Sequence, residues 1–283
     1  MKSSKILKKL DAIDNLPSLP SVVLEVNRIL QDPDISVAKI SQTIKKDQSM
    51  VPRILKLVNS AFFGLKSKIS SLDRAIIILG YHTVRNALVA VAIIDAFDND
   101  KALQGFDIKD FWIHSISVAV TSKYLATRVG CPSVDVAFTG GLLHDIGRII
   151  LYQFFPDLFR QVWNALKEQD ISFYEAEQKE IHITHAQIGA HLARKWQLPD
   201  DLVDVICYHH EVKKSQLNGN VVMIVHLADL IVHGFMTDLK SGFDASLSTT
   251  DAQWIIENQI NPVSEWFSDL EDVIQEACQI FIN

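Results

Sequence analysis

The chain has 283 residues, of which 48% are hydrophobic and 22% are charged, an ordinary composition for a soluble globular protein. Its net charge of −7 lacks the positive character of a general nucleic-acid-binding protein, so we disfavour nucleic acid as a partner. Three widely spaced cysteines argue against a disulfide framework, and no apolar stretch is long enough to span a bilayer. With no secretory signal visible, we predict a cytoplasmic protein with no membrane partner.

Two small groups of basic residues interrupt this acidic balance. One lies at the start of the chain, where Lys2, Lys5, Lys8 and Lys9 are typical of the solvated face of a first helix. The other is a possible nucleic-acid contact, which the overall charge disfavours; it comprises Arg53, Lys56, Lys66, Lys68 and Arg74.

Apolar residues recur at helical spacing along nearly the whole chain, and no alternating strand pattern is convincing, so we predict an all-α fold. In the first third, side chains that favour helix N-termini precede each apolar run. The predicted helix starts are Ser21, Ser36, Asp47 or Ser49, and Ser70 or Ser71. Gly64 and Gly80 are predicted ends, and a buried helix is expected from Tyr81 to Phe97. The pattern indicates a bundle of about five short helices.

A polar segment at 98–107 is the best internal boundary. It divides the chain into a predicted N-terminal helical lobe at residues 1–98 and a second lobe at residues 99–250. A C-terminal extension at residues 251–283 is expected to form two helices around Asn261-Pro262. Its apolar face is predicted to pack onto the second lobe, with dimerisation as the alternative.

The second lobe contains a set of residues with metal-ligand chemistry. They lie in stretches that favour helix and supply five imidazoles and two carboxylates: His114, His144, Asp145, His185, His209, His210 and Asp229. A lone His near an apolar face is usually a core or surface residue, but adjacent polar pairs beside apolar runs are costly to bury unless they are paired or bound to metal. No C-x-x-C or H-E-x-x-H motif is present. A helical metal pocket and a set of ordinary histidines both remain open on spacing alone.

Several short motifs appear in a fixed order along the chain. They are Leu16-Pro17-Ser18-Leu19-Pro20, Asp32-Pro33-Asp34-Ile35-Ser36, Val58-Asn59-Ser60-Ala61-Phe62-Phe63-Gly64, Ala75-Ile76-Ile77-Ile78-Leu79-Gly80, Gly141-Leu142-Leu143-His144-Asp145-Ile146-Gly147 and Tyr208-His209-His210-Glu211. Over about residues 12–235 this series resembles the HDOD domain, a bacterial signalling module related to the HD phosphohydrolases. The resemblance implies a two-lobed helical bundle with an N-terminal HDOD-type lobe and a C-terminal HD-like lobe. It also implies a regulatory role, although many HDOD domains have lost the metal ligands of their catalytic relatives.

The resemblance extends to the HD-GYP branch, which hydrolyses cyclic di-GMP, position by position. His144 and Asp145 match the HD pair, with Asp145 in the place that bridges metals, and Asp110 stands one turn before His114 where the relatives have a Glu. The eight implied metal ligands are Asp110, His114, His144, Asp145, His185, His209, His210 and Asp229. They are compatible with two or three divalent transition-metal ions, such as Fe, Mn, Zn or Ni.

Two departures from the HD-GYP pattern limit what the resemblance implies. Glu211-Val212-Lys213-Lys214 replaces the Gly-Tyr-Pro element, which puts recognition of a cyclic dinucleotide in doubt. Arg148 replaces the Lys that follows the HD pair, and its planar fork grips phosphate differently from an ammonium group.

Two functions follow from these residues. The first is a regulatory binding module that retains the metal site and docks a signalling partner protein, with a nucleotide or phosphoester as a candidate ligand. The alternative is a metal-dependent phosphohydrolase, in which Asp145 bridges the metals and Arg148 neutralises phosphoryl charge. The sequence leaves three further points undecided. His182 is an alternative to His185 as a metal ligand, and His226 is a candidate for supporting Asp229 from behind. Phe62-Phe63 form either a contact surface or part of the core.

Overall fold

The computed structural model describes residues 3–13, 16–32, 34–60, 65, 67–97, 106–169, 171–236 and 263–282. Those residues form helices joined by turns and contain no β-strand, which confirms the predicted all-α fold. None of the helices in these ranges combines the length and apolar character needed to cross a bilayer.

Six helices precede the predicted boundary. They are α1 Ser3–Asp11, α2 Ser21–Ile29, α3 Val37–Lys45, α4 Met50–Val58, α5 Leu72–Leu79 and α6 Tyr81–Ala96. The predicted caps of α3 and α5 are confirmed, because the hydroxyls of Ser36 and Ser71 accept hydrogen bonds from backbone N–H groups in the first turn. The α2 prediction was wrong by one position: Pro20 is the capping residue, and Ser21 is already helical.

Gly80 separates α5 from α6 and has a φ of 87°, a left-handed conformation that strains residues with a Cβ. The α6 helix that follows is buried on nearly all sides, from Thr83 to Ile94. A helix that is apolar all round is found in the interior of a protein. Accordingly, α6 packs against α2, α4 and α5 on one side and reaches the second lobe through α8 on the other.

The remaining helices are α7 Ile108–Arg128, α8 Val134–Leu143, α9 Ile146–Phe154, α10 Pro156–Gln169, α11 Phe173–Glu180, α12 His185–Lys195, α13 Asp200–Tyr208, the 3₁₀ helix Val212–Lys214, α14 Gly219–Met236 and α15 Val263–Ile282. The long α7 helix packs against α8, α14 and α15, while α12 packs against α9 and α13. This arrangement brings the ends of α8, α12 and α13 together with the middle of α7 and α14.

The apolar core is continuous between the two lobes. One buried cluster extends from Ile6 in α1 to Phe281 in α15 and includes side chains from both sides of the predicted boundary. A second cluster lies within the second lobe, around α7, α14 and the first half of α15.

The start of the chain lies against α12. Ile6 and Leu10 are fully buried, and Asp11 pairs with His191 at 2.7 Å. Farther along, the indole Nε1 of Trp196 donates a hydrogen bond to the carbonyl of Pro17. The N-terminal helix therefore belongs to the same packed body as the second lobe.

Helix α15 contacts α7 and α4, so it joins the two lobes as well as packing onto the second one. Its Trp266 ring stacks on Tyr124 of α7, with 4.7 Å between ring centroids. Several predictions fall outside the described residues: the boundary segment at 98–105, the Phe62-Phe63-Gly64 loop and the first helix of the extension.

Candidate metal centre

The His144-Asp145 pair lies at the junction of two helices. His144 follows the last residue of α8, and Asp145 precedes the first residue of α9. Both side chains are fully buried. Two residues on, Gly147 allows α9 to cross the start of α12, since a Cβ at this position would lie 2.0 Å from the carbonyl oxygen of His185. The Gly in the HD motif thus brings His185 close to the pair.

Seven of the predicted ligands converge into what we call the His/Asp cluster. Its first ligand group comprises His114, His144 and Asp229. The Asp229 carboxylate Oδ1 lies 3.1 Å from His114 Nε2 and 3.6 Å from His144 Nε2. This group lies closer to solvent, because the side chains of His114 and Asp229 are 18% and 14% exposed.

The second ligand group comprises Asp145, His185, His209 and His210. His185 Nε2 lies 3.0 Å from Asp145 Oδ1, 3.2 Å from His209 Nε2 and 3.1 Å from His210 Nε2. The other oxygen of Asp145, Oδ2, lies 3.4 Å from His144 Nε2 in the first group. Asp145 therefore faces both groups.

Three imidazoles of the cluster are oriented through their Nδ1 atoms. Nδ1 of His144 lies 2.7 Å from the carbonyl of Gly141, and Nδ1 of His209 lies 2.9 Å from the carbonyl of Ile206. In His185 the corresponding partner is a carboxylate, Glu177, at 2.6 Å. Carbonyl and carboxylate oxygens only accept, so each Nδ1 carries the proton and each Nε2 presents a lone pair when the ring is neutral.

This proton assignment provides a test of whether the residues fit a metal ion. With Nδ1 protonated on both neutral rings, the Nε2 atoms of His185 and His209 would bring two lone pairs within 3.2 Å of each other. Such an approach is repulsive unless a proton or a metal ion lies between them. Imidazole nitrogens bind Zn at about 2.0–2.1 Å, so two nitrogens on one ion lie about 3 Å or slightly more apart. The observed spacing fits this arrangement.

Unpartnered buried atoms support the same conclusion. His144 Nε2 and both carboxylate oxygens of Asp145 are buried without a hydrogen-bond partner of acceptable geometry. Buried polar atoms are normally satisfied, and an ion is one of the ordinary reasons for an exception. The described residues therefore form a His/Asp cluster able to hold a metal.

Electrostatics within the cluster keep its carboxylates charged. Burial opposes ionisation of Asp145, but the charges of Arg148 and the neighbouring imidazoles hold its pKa well below the usual range. For His144 burial lowers the pKa, and Asp145 and Asp229 outweigh it, raising the value to about 10. Burial together with the charge of His185 lowers the pKa of His210 to about 3. Two anionic carboxylates favour a positive charge beside them, which is either the proton on His144 or a divalent cation that displaces it.

Arg148 lies at the edge of this cluster. Its Nη1 is 2.8 Å from Asp145 Oδ2, and its side chain is 23% exposed. The guanidinium rests over the ring of Phe173, with 4.9 Å from its central carbon to the ring centroid. This guanidinium is partly exposed and always charged, so it lies where it could bind an anion that enters the cluster from solvent.

Asp110 is the predicted ligand that the structure does not bring to the cluster. It is exposed in the first turn of α7, and neither ligand group among the described residues includes it. His182 also lies outside both groups; it is exposed, with its Nδ1 2.9 Å from the carbonyl of Gln178. His226 is buried one turn before Asp229 but is not a member of either group.

The residues that follow the 3₁₀ helix are anchored to α13. The buried Asp204 carboxylate accepts hydrogen bonds from the Ser215 hydroxyl at 2.6 Å and from the backbone N–H groups of residues 216–218. Leu217 at the tip is 63% exposed. Neither Asp204 nor Glu177 was predicted from the sequence.

Comparisons with known proteins agree with this architecture. The family model of the HDOD domain matches residues 16–212. The crystal structure of an HDOD domain protein of unknown function from Geobacter sulfurreducens is 26% identical, with a TM-score of 0.76 over 98% of this chain and 97% of that one. A candidate phosphohydrolase from Shewanella amazonensis is 24% identical, with a TM-score of 0.74 over 96% and 97% of the two chains.

A curated relative extends beyond the matching region. An uncharacterized protein of Treponema pallidum is 28% identical over 206 residues, which is 71% of this chain and 39% of the relative. The match thus covers about two fifths of that relative's length.

Proposed function

Because this chain belongs to the HDOD domain family, we propose that it is a regulatory binding module that retains a working metal centre. The observation that carries the proposal is the convergence of two ligand groups on the buried Asp145 carboxylate. Such a charge is costly to bury; Arg148 compensates part of it from the edge of the cluster, and a metal ion between the imidazoles would compensate the rest. A metal held there would stabilise the folded second lobe. Because the apolar core is continuous, the stability of the first lobe would then also depend on whether metal is bound.

In this proposal the first ligand group together with Asp145 would hold one ion, and the second group would hold another. Zn, Mn, Fe and Ni all accept this mixture of imidazole and carboxylate. The signalling partner would be a protein whose binding to the two lobes depends on whether metal is bound. A nucleotide or phosphoester is the candidate ligand at Arg148.

Metal content tests the proposal directly. We expect near-stoichiometric divalent metal in protein purified without chelator, and loss of that metal from the His144→Ala, Asp145→Ala double variant. The exposed His82→Ala variant is the matched control and should keep the metal. A wild-type protein without metal, or a double variant that retains it, would overturn the proposal.

A second candidate function, phosphoester hydrolysis, is favoured by Arg148. A divalent metal supplies an activated water and stabilises charge on a phosphoryl oxygen. Asp145 would orient the cluster from its central position, and Arg148 would neutralise charge on the substrate. The more exposed His114 and Asp229 mark the side from which the substrate would enter.

Hydrolysis assays on bis-p-nitrophenyl phosphate and cyclic dinucleotides separate the two functions. For a hydrolase, Arg148→Ala should lower turnover by about 10²-fold while the metal content stays unchanged. A metal-loaded wild-type protein without turnover would rule out this candidate and leave the binding module. Metal-dependent turnover would instead favour the assignment of the protein as a hydrolase.

A further inference from the structure

Glu177 is a buried carboxylate in the second lobe that faces the His/Asp cluster. It lies in α11, its residue is 0% exposed, and both of its oxygens interact with the same neighbour. Oε1 accepts a hydrogen bond from the backbone N–H of His185 at 2.9 Å, and Oε2 accepts from the ring Nδ1 of that residue at 2.6 Å. The two contacts fix both the start of α12 and the orientation of the imidazole.

The kind of acceptor distinguishes His185 from the other oriented rings. His144 and His209 donate Nδ1–H to backbone carbonyls, which are neutral, whereas His185 donates to a charged carboxylate. A carboxylate behind a ligating imidazole fixes its tautomer and makes its far nitrogen a stronger donor. In His185 that far nitrogen is Nε2, the atom closest to Asp145, His209 and His210.

Helix α11 is well placed to hold Glu177 in position. A reciprocal pair of hydrogen bonds between Ser172 and Glu175 fixes its first turn. On the same helix, Phe173 lies beneath the Arg148 guanidinium, and the Tyr174 ring lies 4.5 Å from that of His210. One short helix thus touches three different members of the site.

We propose that Glu177 is a positioning residue of the metal centre, which holds His185 with Nδ1 protonated and Nε2 directed at the ion. The inference rests on the proposed occupancy of the cluster by metal. It does not depend on whether the protein hydrolyses anything, because Glu177 acts on the ligand and not on a substrate.

Affinity for Zn²⁺ tests the inference, measured by competition with a chromophoric chelator on the full chain. The Glu177→Gln variant keeps the size and hydrogen-bonding shape of the side chain but removes its charge. We expect the dissociation constant of the second ligand group to rise about 10- to 100-fold. Glu180→Gln, on an exposed residue of the same helix, should bind Zn²⁺ as the wild type does.

The outcomes distinguish this inference from the proposed function. If Glu177→Gln lowers only the melting temperature and leaves Zn²⁺ affinity unchanged, Glu177 has a purely structural role and the inference is overturned while the metal centre stands. A wild-type protein that binds no Zn²⁺ overturns both. Weakened binding in Glu177→Gln with no turnover in the wild type supports the inference and removes only the hydrolase candidate.

A measurement on the wild-type protein covers the case in which Glu177→Gln does not fold. In the zinc-loaded protein labelled with ¹⁵N-histidine, we expect the His185 ring to show a protonated Nδ1 and a metal-bound Nε2. A metal-bound Nδ1 on His185 would contradict the assigned role of Glu177.

Discussion

Each oxygen of the Asp145 carboxylate faces a different part of the cluster: Oδ1 lies 3.0 Å from His185 Nε2, and Oδ2 lies 3.4 Å from His144 Nε2. The Arg148 guanidinium contacts Oδ2 as well, at 2.8 Å. A single buried side chain therefore links imidazoles of both ligand groups to the partly exposed cation at the edge of the site.

The members of the His/Asp cluster that the sequence could predict are those with a recognisable residue type and a motif around them. Asp110 was predicted because the HD-GYP relatives that the chain resembles have a Glu one turn before His114, but the side chain of Asp is shorter than that of Glu. A short Asp in the first turn of α7 remains exposed. Glu177 was missed because it lies in a polar helix without a motif. Its spacing of eight residues from His185 was the available signal.

A half-buried lysine provides a pH-dependent prediction outside the cluster. Lys123 in α7 is half-buried, and burial lowers the pKa of its amine from 10.5 to about 8, with the charge of Asp135 opposing the shift. Between pH 8 and 10.5 the unfolded chain holds a proton that the folded protein has released. The free energy of unfolding contributed by this group therefore rises with pH across that window.

We expect Lys123→Met to be more stable than the wild type at pH 7, by roughly 2 kcal/mol, and to lose this advantage by about pH 10. Lys109→Met, on an exposed lysine of the same helix, should show no such pH dependence. Urea unfolding at several pH values measures both. A Lys123→Met variant with the same stability difference at every pH would contradict the prediction.

At the scale of helices, the serine caps of α3 and α5 could be predicted from the sequence because a cap depends on a few neighbouring residues. How α9 crosses α12 could not, because that contact joins segments far apart in the chain. Gly147 is the residue that permits the crossing, and in the sequence it is only one member of a motif.

Replacing Gly147 tests that crossing. An added Cβ would lie 2.0 Å from the His185 carbonyl oxygen, so Gly147→Ala must push α9 and α12 apart. We expect a loss of about 3 kcal/mol in the free energy of unfolding, together with weaker metal binding.

The matched control is Gly219→Ala at the start of α14, where the nearest atom to a new Cβ is Ser215 Oγ at 3.9 Å. This variant should be as stable as the wild type or slightly more so. Denaturant unfolding followed by circular dichroism compares the two. Equal stability of both variants would show that α9 and α12 can accommodate an added methyl group at Gly147 without separating.

At the scale of the whole molecule, the two predicted lobes share one apolar cluster, which extends from Ile6 to Phe281. Helix α15 adds a further connection, since it contacts both α4 and α7. The sequence indicated a division because it shows polar segments between helices but not which apolar faces meet across them. A shared core favours one cooperative unfolding transition.

The distribution of tryptophans makes this testable. All five are beyond residue 98, at positions 112, 163, 196, 254 and 266, so their fluorescence reports mainly on the second lobe and the extension; Trp196 also contacts Pro17 and Phe97 of the first lobe. Circular dichroism at 222 nm reports on helices throughout the chain. We expect the two signals to give the same midpoint on heating. A dichroism midpoint that differs from the fluorescence midpoint would mean that the first lobe unfolds independently.

The contacts of the N-terminal segment with α12 have a consequence for how the chain folds during synthesis. Asp11 and His191 are 180 positions apart, and Trp196 follows Pro17 by 179. At about 5–20 residues per second, a ribosome takes on the order of 10 to 40 seconds to bridge that gap. During this interval Ile6 and Leu10 have left the ribosome, but His191 and Trp196, which contact the N-terminal segment, have not been made. Premature release of the nascent chain would therefore leave an amphipathic helix exposed, a substrate for chaperones.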